Sequence, residues 1–73
     1  MVQNRIKEIM KQRKINQVEL SEAIRVSPQS INRWCNNKYQ PNLEFAYMIC
    51  NFFEVPIQDM FYQPTMEKAH ANV

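Results

Sequence analysis

Apolar residues in this chain recur at intervals of three and four, and no run alternates strictly enough to predict a strand. Val2, Ile6, Ile9 and Met10 share one stripe, with Arg5, Lys7, Lys11 and Lys14 around the rest, which predicts a first helix over residues 4–13. Leu20, Ala23 and Ile24 predict a second over 17–24. Asn16 stands just before it and Glu19 three residues later, the spacing of a capping box. Ser27-Pro28 opens a third helix over 28–35: serine can accept from the free backbone N–H groups, and proline suits the first helical position. Ile31, Trp34 and Cys35 fall on one face of it. Residues 36–42 are polar with a proline, hence a loop, and Asn42 is placed to cap a fourth helix over 43–53. A short fifth, 57–61, follows Val55-Pro56. The pattern predicts an all-α, compact five-helix bundle spanning 1–62, with 63–73 as a flexible tail.

The second and third helices are joined by only Arg25, Val26 and Ser27, a tight corner. The third helix turns Gln29, Asn32, Arg33 and Asn36 away from its apolar face. An amide-and-guanidinium face on a short helix suits the major groove, where Arg pairs with guanine and Gln or Asn with adenine. Charge adds to this picture. The net charge is +2, but residues 1–40 carry eight Lys/Arg against three Asp/Glu, and residues 41–73 one Lys against four. The basic half holds the helix pair, as attraction to phosphate requires.

Seventy-three residues allow one domain with a small core. The two cysteines, Cys35 and Cys50, are far apart on apolar helix faces, and the single histidine, His70, stands in the tail. Two buried free thiols are expected, with neither a disulfide nor a metal site. No cofactor is implied. Neither a membrane-length apolar run nor a signal-peptide core is present, so a cytoplasmic protein is expected. No paired carboxylates, nucleophile–base pair or phosphate loop suggests an enzyme.

Asn16-Gln17, Glu19-Leu20, Val26-Ser27, Gln29-Ser30-Ile31 and Asn36-Asn37-Lys38, followed by Tyr39–Glu44 and Val55-Pro56-Ile57, resemble the lambdoid phage repressor and Cro family of bacterial and phage regulators, also called the XRE family. The resemblance covers roughly residues 4–62. It implies the phage-repressor DNA-binding fold, with the second and third helices as a helix-turn-helix reading double-stranded DNA, and nucleoid association when bound. On that basis Gln29, Arg33 and Asn32 are the expected base contacts, and Pro28 can offer its ring to a thymine methyl. Gln17, Ser27, Ser30, Asn36, Lys38, Tyr39 and Arg25 are the expected phosphate contacts.

Three departures from the family stand out. Glycine is absent, and positions where relatives commonly carry it hold Arg25, Asn37 and Glu54. Left-handed backbone is expected at Arg25 and Asn37, and Glu54 is costly if the same corner is kept. Where relatives pair an Arg in the first helix with a Glu ending the third, this chain has Met10 and Cys35, which are expected to touch in the core. Pro28 replaces a polar residue that in relatives often reads a base, which shifts readout toward Gln29, Asn32 and Arg33.

The fourth helix is apolar on two sides. Leu43, Ala46, Cys50 and Phe53 suit the core, while Phe45, Met48, Ile49 and Phe52 form a second face. With Phe61 and Tyr62, that face is expected to hold a homodimer together on a palindromic operator. The expected function is a transcriptional regulator, most simply a repressor. The competing expectation is an antitoxin-like or anti-repressor-like module that binds a protein through the same face.

Overall fold

The computed structural model describes residues 2–64. Its helices are α1 (Ile6–Arg13), α2 (Gln17–Ile24), α3 (Pro28–Cys35), α4 (Leu43–Phe53) and α5 (Ile57–Met60). They are bracketed by two short strands, β1 (Gln3–Asn4) and β2 (Phe61–Tyr62). Residues 65–73 of the expected flexible tail, His70 among them, lie outside the described residues. Among the described residues, no helix is long and apolar enough to cross a membrane.

The strands correct the expectation of helix alone at the two ends. They pair antiparallel, Gln3 opposite Tyr62 and Asn4 opposite Phe61. The first helix therefore starts at Ile6 instead of Asn4, and the fifth ends at Met60 instead of Phe61. Asn4 supplies the reason. Its N–H donates to Asn37 Oδ1 at 2.9 Å, and its Nδ2 donates to the Trp34 carbonyl at 2.8 Å and to Gln40 Oε1 at 2.7 Å. Its Oδ1 accepts from the Ile6 N–H at 3.0 Å, an Asx turn that launches α1. A residue whose N–H and side-chain amide N–H groups are held by the end of α3 and the loop after it remains extended. The Arg5 N–H donates to the Met60 carbonyl, and the Arg5 guanidinium lies 4.1 Å from the Tyr62 ring centroid, so the segment before α1 is closed on the segment after α5.

Every corner after the first four helices is built the same way. Lys14, Arg25, Asn37 and Glu54 have φ of 58°, 58°, 58° and 56°, the left-handed region that glycine usually occupies. In each case the next residue donates its N–H to the carbonyl five positions back: Ile15 to Met10, Val26 to Ser21, Lys38 to Arg33, Val55 to Cys50. This is the Schellman closure, and an apolar residue at the donating position usually reinforces it. Ile15, Val26 and Val55 do so here, packed against the core. The expectation of left-handed Arg25 and Asn37 is met, and Glu54 keeps the same geometry despite its side chain. Lys14 was not foreseen.

The helix starts follow the local sequence closely. The Asn16–Glu19 capping box is formed in both directions, at 2.8 and 3.1 Å. Asn42 Oδ1 accepts from the Phe45 N–H. Arg13 caps the far end of α4, its Nη1 donating to the Phe53 carbonyl at 2.7 Å. The α2 face differs slightly from expectation, because Ser21 is buried with Leu20 and Ile24 while Ala23 is exposed.

The core joins Ile6, Ile9, Met10, Leu20, Ile24, Ile31, Trp34, Ile49, Phe53 and Met60, with both cysteines buried and unpaired. Cys35 Sγ lies 3.6 Å from Met10 Sδ, the contact expected from the lost ion pair. Two apolar groups that fit each other can replace a buried ion pair without the penalty of orphaning one charge. Burial pushes the pKa of both thiols above its ordinary value, with Lys7 partly opposing this at Cys35.

Helix α4 requires two corrections. Ile49, expected at a dimer interface, is fully buried in the core beside Ala46, Cys50 and Phe53. Leu43, expected in the core, is 68% exposed. Positions 46, 49, 50 and 53 form one stripe at i, i+3, i+4, i+7, which is the face that meets α2 and α5. Leu43 opens the helix, one turn before Ala46 reaches that stripe. Phe45 is half-buried against Trp34, ring centroids 5.8 Å apart. Met48 is also half-buried, which leaves Phe52 as the exposed member of the supposed second face.

Candidate nucleic-acid interface

The surface of α3 is set by how its other face is held. Ile31, Trp34 and Cys35 are buried, so Pro28, Gln29, Asn32, Arg33 and Asn36 must face solvent, and all five do. The helix start is fixed by Ser27, whose Oγ accepts from the Ser30 N–H at 3.2 Å and lies 3.1 Å from Ser30 Oγ. Those hydroxyls therefore stand together at the N-terminus of α3, where the helix dipole favours an anion. The helix end is fixed by Asn37, whose Oδ1 accepts from both Asn4 N and Gln40 Nε2. A helix pinned at both ends can present side chains in one orientation.

A shallow groove runs along this face, lined by Gln17, Pro28, Gln29, Asn32, Arg33 and Lys38. Sequence reasoning named all six, and the fold gathers them from α2, α3 and the following loop. At the edge of the groove, Asn36 Nδ2 donates to Asn32 Oδ1 at 3.2 Å, one turn along the helix. The Arg33 guanidinium lies 5.7 Å from the ring centroid of Tyr39, which is 63% exposed. A cation over an aromatic face at that range is held by the ring quadrupole. Arg25 is exposed at the corner before α3. Of the residues expected at a dimer interface, Phe45, Met48, Phe61 and Tyr62 are half-buried. Leu43, Tyr47 and Phe52 are the exposed large apolar residues of α4.

Sequence reasoning missed Asn4 and Arg13. Both act across thirty or more residues of chain, Asn4 on the end of α3 and Arg13 on the end of α4. Nothing in their immediate neighbours signals those partners. The closeness of Arg33 and Tyr39 was equally invisible, because it depends on the path of the loop after Asn37.

Residues 6–60 match the family model described as Helix-turn-helix. An uncharacterized HTH-type transcriptional regulator of Methanocaldococcus jannaschii is 33% identical over 60 residues, which is 82% of this chain and 91% of that protein. The crystal structure of a Bacteroides fragilis protein described as DNA-binding has a TM-score of 0.79 to this fold at 29% identity, covering 85% of this chain and all of that one.

Proposed function

The chain belongs to the helix-turn-helix family of DNA-binding transcriptional regulators, which are not enzymes, and we propose that it is a sequence-specific repressor that lays α3 in the major groove. One observation carries the proposal: Gln17, Pro28, Gln29, Asn32, Arg33 and Lys38 converge on one exposed groove. Gln29, Asn32 and Arg33 supply the hydrogen-bonding pattern for base edges, and the Pro28 ring supplies an apolar contact for a thymine methyl. Gln17, Ser27, Ser30, Asn36, Lys38, Tyr39 and Arg25 surround them as phosphate contacts that set register. The Asn36–Asn32 and Arg33–Tyr39 contacts lower the ordering cost of binding. Repression then needs only occupancy of a promoter.

Reading by one short helix covers few base pairs, so a palindromic site bound by a homodimer follows, with half-sites ~34–36 Å apart. The exposed Leu43, Tyr47 and Phe52 on α4 favour a second copy as their cover. The second reading is that the chain is itself an antitoxin-like or anti-repressor-like module, which binds a protein target through this face of α4.

Selection of bound sequences from random duplex DNA tests the whole proposal. Enrichment of a palindrome supports it, and absence of any enriched sequence refutes it. Light scattering at tens of micromolar should show a dimer, and a monomer would remove the palindrome argument. Arg33→Ala should weaken binding to the selected site by ~1–3 kcal/mol and relax preference at one position. Unchanged preference would show that the reading face is misassigned.

A further inference from the structure

A second groove runs along the seam between α1 and α3. Met10, Ile15 and Cys35 form its floor, and Lys7, Lys11 and Asn36 stand at its sides. It meets the first groove at two residues, Gln17 and Asn32, which line both. The polar surface of the helix-turn-helix therefore does not end at α3 but continues onto α1.

The core decides where the two lysines point. Ile6, Ile9 and Met10 are buried, so α1 must turn Lys7 and Lys11 outward, one helical turn apart on the same side. Lys7 is also near enough to the seam for its charge to oppose the effect of burial on Cys35. An apolar floor can carry the lysine stems while the ammonium groups remain in water at the rim. Opposite them, Asn32, Asn36 and Gln17 bring amide N–H donors. Two cations facing neutral amide donors across a groove match a phosphodiester. An acidic peptide would have to bring its carboxylates to a site already bordering the reading helix.

We infer that Lys7 and Lys11 form a phosphate-binding strip on α1 that grips the duplex backbone beside the reading helix. The inference rests on the DNA-binding reading above and extends the interface beyond the residues assigned there. It adds affinity and no sequence preference, because phosphate contacts carry none.

The test is a salt titration of the full chain on a fluorescein-labelled duplex of random sequence, read by anisotropy. The variants are Lys7→Gln, Lys11→Gln, the double variant and Lys14→Gln. Glutamine matches lysine in helix propensity, so α1 is retained. Lys14 lines neither groove and reports on net charge alone. Each direct phosphate contact contributes ~0.9 to the slope of log K against log salt. The double variant should therefore lose about 2 from that slope, while Lys14→Gln keeps the wild-type slope and the sequences recovered by selection stay the same. An unchanged slope in the double variant overturns the inference, as does an equal loss from Lys14→Gln. Salt-sensitive duplex binding by the wild type separates either result from failure of the DNA-binding reading. If the wild type binds no duplex, that reading falls and takes the strip with it. Salt-sensitive retention of a poly-glutamate peptide with no duplex binding would point to an acidic protein partner and also overturn it.

Discussion

A residue with a Cβ resists the left-handed region by roughly 1 kcal/mol relative to glycine, and this chain accepts that cost four times. The four residues differ in what their side chains return. Glu54 is exposed, and its corner is closed by backbone bonds together with the half-buried Val55. Asn37 sits at the same φ, but its Oδ1 accepts from Asn4 N and Gln40 Nε2. Glu54→Gly should therefore raise stability by about 0.5–1 kcal/mol in urea unfolding. Asn37→Gly should lower it by about 1–3 kcal/mol, because the buried Asn4 N–H loses its acceptor. Equal effects at the two corners would mean that the Asn37 side chain does not hold the loop.

The two thiols give a second residue-scale expectation. Burial raises both in the folded state, so the fold holds its protons more tightly than the unfolded chain does. Their contribution is fully present below about pH 9 and is lost as pH rises through the folded values, since the unfolded thiols ionise first. A Cys35→Ala/Cys50→Ala variant should show a shallower alkaline decline in stability than the wild type. A parallel decline in both would remove the thiols as its cause.

At the scale of elements, α4 shows how a helix with excess apolar surface is oriented. Ile49 is fully buried, whereas Tyr47 is 52% exposed. Ile49→Ala should cost about 2–5 kcal/mol, and Tyr47→Ala should stay within about 0.5 kcal/mol for the monomer, both by denaturant titration. Comparable losses would mean that the buried stripe has been placed on the wrong side. The helix starts were legible because a capping side chain bonds within three residues of itself, as at Asn16, Ser27 and Asn42. The sides of α4 were not, because Phe45, Ile49 and Phe52 are all apolar and only the positions of α2, α5 and Trp34 distinguish them.

For the molecule as a whole, one buried asparagine joins β1 to the end of α3. Asn4 is 3% exposed and ties β1 to the end of α3 and to the loop that carries Lys38 and Tyr39. Asn4→Ala should cost about 2 kcal/mol by leaving the Ile6 N–H without its acceptor. It should also weaken duplex binding, because the C-terminal end of α3 loses its anchor. Wild-type affinity in a correctly folded Asn4→Ala protein would show that α3 is held by its apolar face alone.

The sequence by itself determined the helices, the corner between α2 and α3 and the polar face of α3. Caps and helical periodicity act within about four residues, so the information is local. The likeness of Met10 and Cys35 to a lost ion pair carried that expectation one step further, to a contact between helices. Only the tertiary structure decided that Ile49 turns inward and that Asn4 leaves the helix for a strand. It alone brought Tyr39 beside Arg33 and Lys7 and Lys11 beside α3. Each of those outcomes depends on a group contributed by another element, and residue order does not encode the position of that group.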